Sequence, residues 1–129
     1  MDQNQLLERW AKRLQNATVS HLPSDYSRPT PPRMVEAALS RTLSHEAQLA
    51  LFKLSVQREG EEAVSPFTIL LSCFVALVHR LTGDEDISIG TSSKDGDPFV
   101  LRSLLSPLDP FNTLLTKVKN VSPGVVWFF

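Results

Sequence analysis

Cysteine is almost missing from this sequence. Cys73 is the single thiol in 129 residues, which excludes an internal disulfide and any multi-cysteine metal site and makes a reducing compartment the default. Charge of one sign is equally scarce. Thirteen Lys and Arg stand against 14 Asp and Glu, a net charge of −1, so the basic field that draws proteins to nucleic acid or to anionic membranes is lacking. No apolar run reaches the roughly 20 residues that a bilayer span needs. The longest continues from Phe67 to Val78 and is closed by His79 and Arg80. The opening stretch MDQNQLLERW has neither the basic nor the apolar region of a secretory signal. The sequons Asn16-Ala17-Thr18 and Asn120-Val121-Ser122 are therefore read as chance, and a cytoplasmic location is expected.

Reaction chemistry is also sparse. His21, His45 and His79 stand far apart, with no cysteine or paired carboxylate at metal-ligand spacing. The stretch GTSSKDG at 90–96 does not satisfy GxxxxGK[ST], and no helix is expected directly behind it. GxGxxG, HExxH and GxSxG are missing. Asp84, Glu85 and Asp86 lack the spacing of a calcium loop and read as a solvated turn. His79 reads as a half-buried residue at a helix end. No catalytic, cofactor-binding or metal-ligating residue is assigned.

What the sequence does contain is a strong core signal. Residues 65–92, SPFTILLSCFVALVHRLTGDEDISIGTS, read as helix, glycine stop, acidic turn and strand. Ser65 can cap the first turn and Pro66 suits the first helical position. Apolar residues from Phe67 to Leu81 cover every side of the cylinder, which predicts a core helix. Gly83 supplies a left-handed stop, Ile87-Ser88-Ile89 alternates as a strand should, and Gly90 allows a close backbone approach. A mixed α/β (α+β) class follows, with roughly four helices and a few short strands. The length suits one domain or part of one.

Around this unit, residues 4–15 predict an amphipathic helix, with Leu7, Trp10, Ala11 and Leu14 at helical spacing and Trp10 as an anchor into a core or a neighbouring domain. Residues 16–32 contain four prolines and read as a semi-rigid linker. The PxxP spacing within 28–33 outlines an SH3 ligand, but an ordinary linker accounts for it. Residues 33–40 suggest a strand. Ser44 predicts a cap for a helix continuing to about Glu59, burying Leu51, Leu54 and Phe52, with Gly60 as its stop and a short acidic loop over 60–64. A polar turn is expected over 91–97, then a strand from Phe99 that could extend to Leu105. After Pro110 a last helix is expected, with Phe111, Leu114, Leu115 and Val118 on one stripe. The final SPGVVWFF breaks the pattern: it could tuck in as a strand or be exposed sticky sequence.

The stretch LTGDEDISIGT at 81–91 resembles the condensation domains of nonribosomal peptide synthetases, in which a long apolar helix ends in a (Y/L)-(T/S)-G-x-x-D-I-x-(V/I)-G-T pattern. The likeness extends outward in order. LERWAKRL at 7–14 resembles that family's "WxxxL" helix, HLPSDYSRP at 21–29 its "LPxDxxRP" linker, and PFVLR at 98–102 its "FVNTLxLR" strand. Residues 111–118 are similar to its next helix. The resemblance implies a fragment of the chloramphenicol-acetyltransferase-like condensation fold: residues 1–121 as a partial domain lacking its catalytic half, and 122–129 as an aberrant apolar tail. The family's HHxxxDG signature is not present, Asp95-Gly96 has no histidine pair before it, the "NT" of FVNT is missing, and the linker between the two strands is shorter than usual.

A condensation-like region of this kind is similar to the start of fungal α-aminoadipate reductases. That implies a parent of lysine biosynthesis which adenylates aminoadipate with ATP, carries it on phosphopantetheine and reduces it with NADPH, none of these cofactors being held by this chain. The implied partner is the parent's adenylation domain, and the chain by itself is expected to be inactive, marginally stable and able to self-associate. Two alternatives stay open: a piece of a true condensation or acyltransferase domain, and a small stand-alone α/β interaction protein using Trp10 and the apolar tail as contacts.

Overall fold

A computed structural model describes residues 2–56, 64–92, 96 and 98–121. Its elements follow the order α1 (Gln3–Arg13), α2 (His45–Val56), α3 (Pro66–Thr82), β1 (Asp86–Ser92), β2 (Pro98–Leu104) and α4 (Phe111–Val121). The described residues form a small α+β arrangement of four helices and one two-stranded antiparallel sheet.

The central helix begins and ends as its sequence dictates. The Thr68 amide donates to Ser65 Oγ at 3.2 Å, and Pro66 occupies the first turn, where no amide donor is required. At the other end Gly83 takes φ +75°, and its amide donates to the His79 carbonyl at 2.8 Å. A side chain in that left-handed conformation would be strained. Glu85 then accepts from the Leu105 amide at 2.7 Å, closing the base of the hairpin.

The sheet register pairs Ile87 with Ser103, Ile89 with Leu101 and Thr91 with Phe99. Directly opposed residues share a face, so these six point one way. Ile87 and Leu101 are buried against Leu71, Val75 and Val78 of α3 and Leu114 and Val118 of α4. A smaller cluster joins Val64, Ile69 and Leu115, with Leu51 of α2 packed on it. The apolar periodicity of α4 thus delivers Leu114, Leu115 and Val118 inward, while Phe111 stays exposed.

Several sequence expectations need correction. Residues 33–40 form no strand: they run through solvent without regular pairing, with Met34, Val35 and Leu39 exposed. Alanine and glutamate give little intrinsic strand preference, and neither described strand pairs with this segment. In α2, Ser44 caps as expected, its Oγ accepting from the Ala47 amide at 3.1 Å. Leu51 is half-buried, but Leu54 and Phe52 are exposed, and Ser55 is the residue turned inward. A Cβ on Gly90 would meet open space, so that position makes no close approach. Asp86 belongs to β1 rather than to a free acidic turn. The expected features over 57–63, at 93–95 and 97, and in the tail 122–129 lie outside the described residues.

Helix α3 is also not buried all round. Thr68, Ile69, Leu71, Ser72, Val75 and Val78 face inward. Leu70, Cys73, Phe74, Leu77 and Leu81 form a continuous apolar stripe on the opposite side, open to solvent.

Candidate functional site

Two features stand apart from the core: a polar junction around Arg102, and the bare stripe of α3. The junction begins with the strand register. Ser88 stands opposite Arg102, which puts Asp86 diagonally across the same sheet face, within reach of a long side chain. Arg102 Nε donates to Asp86 Oδ1 at 2.9 Å and Nη2 donates to Oδ2 at 2.6 Å. This is the planar two-point pairing that guanidinium and carboxylate favour. Hydrogen bonding from Arg102 holds the Asp86 carboxyl below the usual carboxylate range, and Asp86 in turn raises Arg102.

The remaining donor, Nη1, reaches the carbonyls of Arg13 at 3.0 Å and Gln15 at 2.8 Å. Those carbonyls lie at the C-terminus of α1, where the helix leaves acceptors without partners and favours a cation. Trp10 meets the Phe99 ring edge-on, centroids 5.7 Å apart and planes at 79°. The Arg13 guanidinium sits 5.5 Å from the Trp10 ring centre and 5.2 Å from that of Phe99, and Arg13 Nη2 donates to the Val121 carbonyl at 3.2 Å. Helix α1 has no fully buried residue. Its attachment rests on these aromatic and charge-assisted contacts.

The three histidines are not brought together. His21 is exposed in the extended segment, His45 opens α2, and His79 lies in the last turn of α3. His79 Nδ1 is 2.6 Å from the Asp84 carbonyl, an acceptor, so Nδ1 carries the proton. His79 and Arg80 line a cleft of about 140 Å³ with Ala76, Ser106, Phe111 and Leu114. Nearby, Asp109 Oδ2 accepts from Lys117 Nζ at 2.7 Å and from the Ser106 amide at 3.1 Å. Both bonds lower the Asp109 carboxyl, the lysine most. Among the described residues no group of three or more His, Cys, Asp or Glu could hold a metal ion. No described helix is long and apolar enough to cross a membrane.

Sequence reasoning missed the Asp86–Arg102 pair. Its signal lies in aligning Asp86-Ile87-Ser88 with Arg102-Ser103-Leu104 across the hairpin, which requires the strand register. Trp10 is an anchor, as its helical stripe suggests, but nothing in the local pattern points to Phe99 as its partner.

No protein-family model matches the chain. It is similar, at 56% identity over 116 residues (89% of the chain), to the L-2-aminoadipate reductase of Schizosaccharomyces pombe, of which it covers 8%. It is 40% identical over 113 residues, 87% of the chain, to the L-2-aminoadipate reductase large subunit of Penicillium chrysogenum, covering 7% of that protein. Over 83 residues, 64% of the chain, it is 32% identical to a plipastatin synthase of Bacillus subtilis, covering 3% of it. The chain thus spans less than a tenth of the length of these relatives. It is homologous to a short part of the L-2-aminoadipate reductases and, over about two-thirds of its length, to nonribosomal peptide synthetases, consistent with the condensation-like region that the sequence resembles.

Proposed function

We propose that this chain is a non-catalytic, condensation-like structural module of an aminoadipate-reductase-type protein. The observation that carries this reading is the 56% identity over 116 residues to an L-2-aminoadipate reductase, of which the chain covers 8%. The geometry supports it: the ion pair Arg102–Asp86 fastens the two strands to each other, and Lys117–Asp109 ties α4 to the segment that leads into it. In this reading the parent activates aminoadipate with ATP, holds it on phosphopantetheine and reduces it with NADPH during lysine biosynthesis. Those cofactors bind elsewhere in the longer polypeptide, and this module braces the adenylation domain from the cytoplasmic enzyme's condensation-like region.

Deleting the homologous segment from a full-length reductase tests the proposal. Aminoadipate-dependent ATP–pyrophosphate exchange should persist, with a lower thermal midpoint of the adenylation domain. An unchanged midpoint would remove the bracing role. The similarity to a plipastatin synthase favours a second reading, a fragment of a true condensation domain. Genomic sequence separates the two. An adenylation domain encoded downstream supports the first, and an HHxxxDG exon upstream supports the second.

A further inference from the structure

We propose that Thr30 is a phosphate-acceptor site for a proline-directed protein kinase. Ser or Thr directly precedes Pro at Thr30, Ser65, Ser106 and Ser122. Kinases of this class favour proline after the acceptor because it has no amide hydrogen to leave unpaired in their cleft. A basic side chain three residues beyond the acceptor adds a charge-assisted contact. Thr30-Pro31-Pro32-Arg33 meets both conditions. The residue three beyond Ser65 is Thr68, beyond Ser106 it is the carboxylate Asp109, and beyond Ser122 it is Val125.

The structure separates the same candidates. Residues 21–46 are all exposed, and no residue from 27 to 42 makes a hydrogen bond or ion pair among the described residues. Thr30 is thus presented on unattached chain on both sides. Ser65 Oγ, in contrast, accepts from the Thr68 amide at 3.2 Å and lies 2.9 Å from Thr68 Oγ1, capping α3. The Ser106 amide donates to Asp109 Oδ2 at 3.1 Å. Handing either serine to a kinase requires local unfolding first. Ser122 lies outside the described residues.

In the reaction the Thr30 hydroxyl oxygen bonds to the γ-phosphorus of ATP, and the bond from that phosphorus to the bridging oxygen breaks. ADP leaves with the electron pair, and the hydroxyl proton passes to the kinase's carboxylate base. The product carries roughly 1.5 to 2 negative charges near neutral pH. Arg28 and Arg33 stand on either side of it, exposed and without ion-pair partners among the described residues. Both guanidiniums are therefore available to the new phosphate.

The test incubates the 129-residue chain with a purified cyclin-dependent kinase and ATP, and assigns the modified residue by mass spectrometry. Phosphate is expected on Thr30. Thr30→Val should abolish incorporation, Thr30→Ser should retain it, and Arg33→Ala should slow it about ten-fold. Phosphate on Ser65 or Ser106 with Thr30 unmodified overturns the proposal. So does an unmodified chain under conditions that phosphorylate a free peptide of residues 26–36, which would show the segment to be covered. An SH3 domain that binds the chain while the kinase adds no phosphate assigns the prolines to polyproline recognition instead, and also overturns it.

Discussion

Arg102 binds Asp86 through two parallel hydrogen bonds across the hairpin, and with its remaining donor it holds the end of a helix 89 residues earlier in the chain. One side chain therefore joins β1, β2 and α1. The pair is only about one-fifth exposed, so water screens it less than an ordinary surface ion pair. Its position follows from the sheet register, and its reach follows from the length of arginine.

Arg102→Lys tests this junction. Lysine keeps the charge but presents no planar fork. The substitution is expected to lower the urea midpoint. It should also accelerate amide hydrogen exchange across residues 3–13 while leaving α3 protected. Unchanged exchange in α1 would mean that the Trp10–Phe99 contact suffices to hold the helix.

Acid should weaken the fold through Asp86 and Asp109. Both carboxyls are lowered in the folded chain by hydrogen bonds, Asp86 from Arg102 and Asp109 chiefly from Lys117. A group lowered on folding contributes stability above its unfolded pKa, near 3.9 for aspartate, and loses it as pH falls through the folded value. The urea midpoint should be flat between pH 7 and about 5 and fall below about pH 4. Asp86→Asn should reduce midpoint stability at pH 7 and flatten this acid limb. An acid limb identical to that of the parent chain would assign the pH dependence to other groups.

Ser88 gives a prediction of opposite sign. Its Oγ is buried on the sheet face opposite the core and has no hydrogen-bond partner among the described residues. An unsatisfied buried hydroxyl is costly, and removing it leaves no broken bond behind. Ser88→Ala is therefore expected to raise stability by up to about 1 kcal/mol in equilibrium unfolding. A loss of that size would reveal a partner for the hydroxyl.

The parts legible in the sequence were those fixed by short-range rules. Ser65, Pro66 and Gly83 bounded α3 because capping and left-handed termination act within one turn. Ile87 and Ile89 announced a strand by alternation, and Leu114, Leu115 and Val118 announced the inner face of α4. Partnership across the fold was not legible. Residues 33–40 alternate plausibly, yet strand formation needs a neighbour to pair with, and neither described strand supplies one. Asp86 looked like part of a solvated acidic run because its partner lies 16 residues away. The apolar composition of α3 suggested complete burial, whereas one side of the helix packs and the other is bare.

That division of α3 yields the sharpest test, using two substitutions two residues apart. Val75 is 1% exposed and packs among Leu71, Ile87 and Leu101, whereas Leu77 is 53% exposed. Val75→Ala removes buried methyl groups and leaves a void between helix and sheet. A loss of about 2 kcal/mol is expected. Leu77→Ala deletes more carbon but from the open side, so its effect in the 129-residue chain should stay within about 0.5 kcal/mol. Transfer free energy alone would rank the two the other way, because leucine is the larger side chain. Chemical unfolding of both variants therefore reads the orientation of the helix directly. Equal losses would show that something covers Leu77 in the isolated chain.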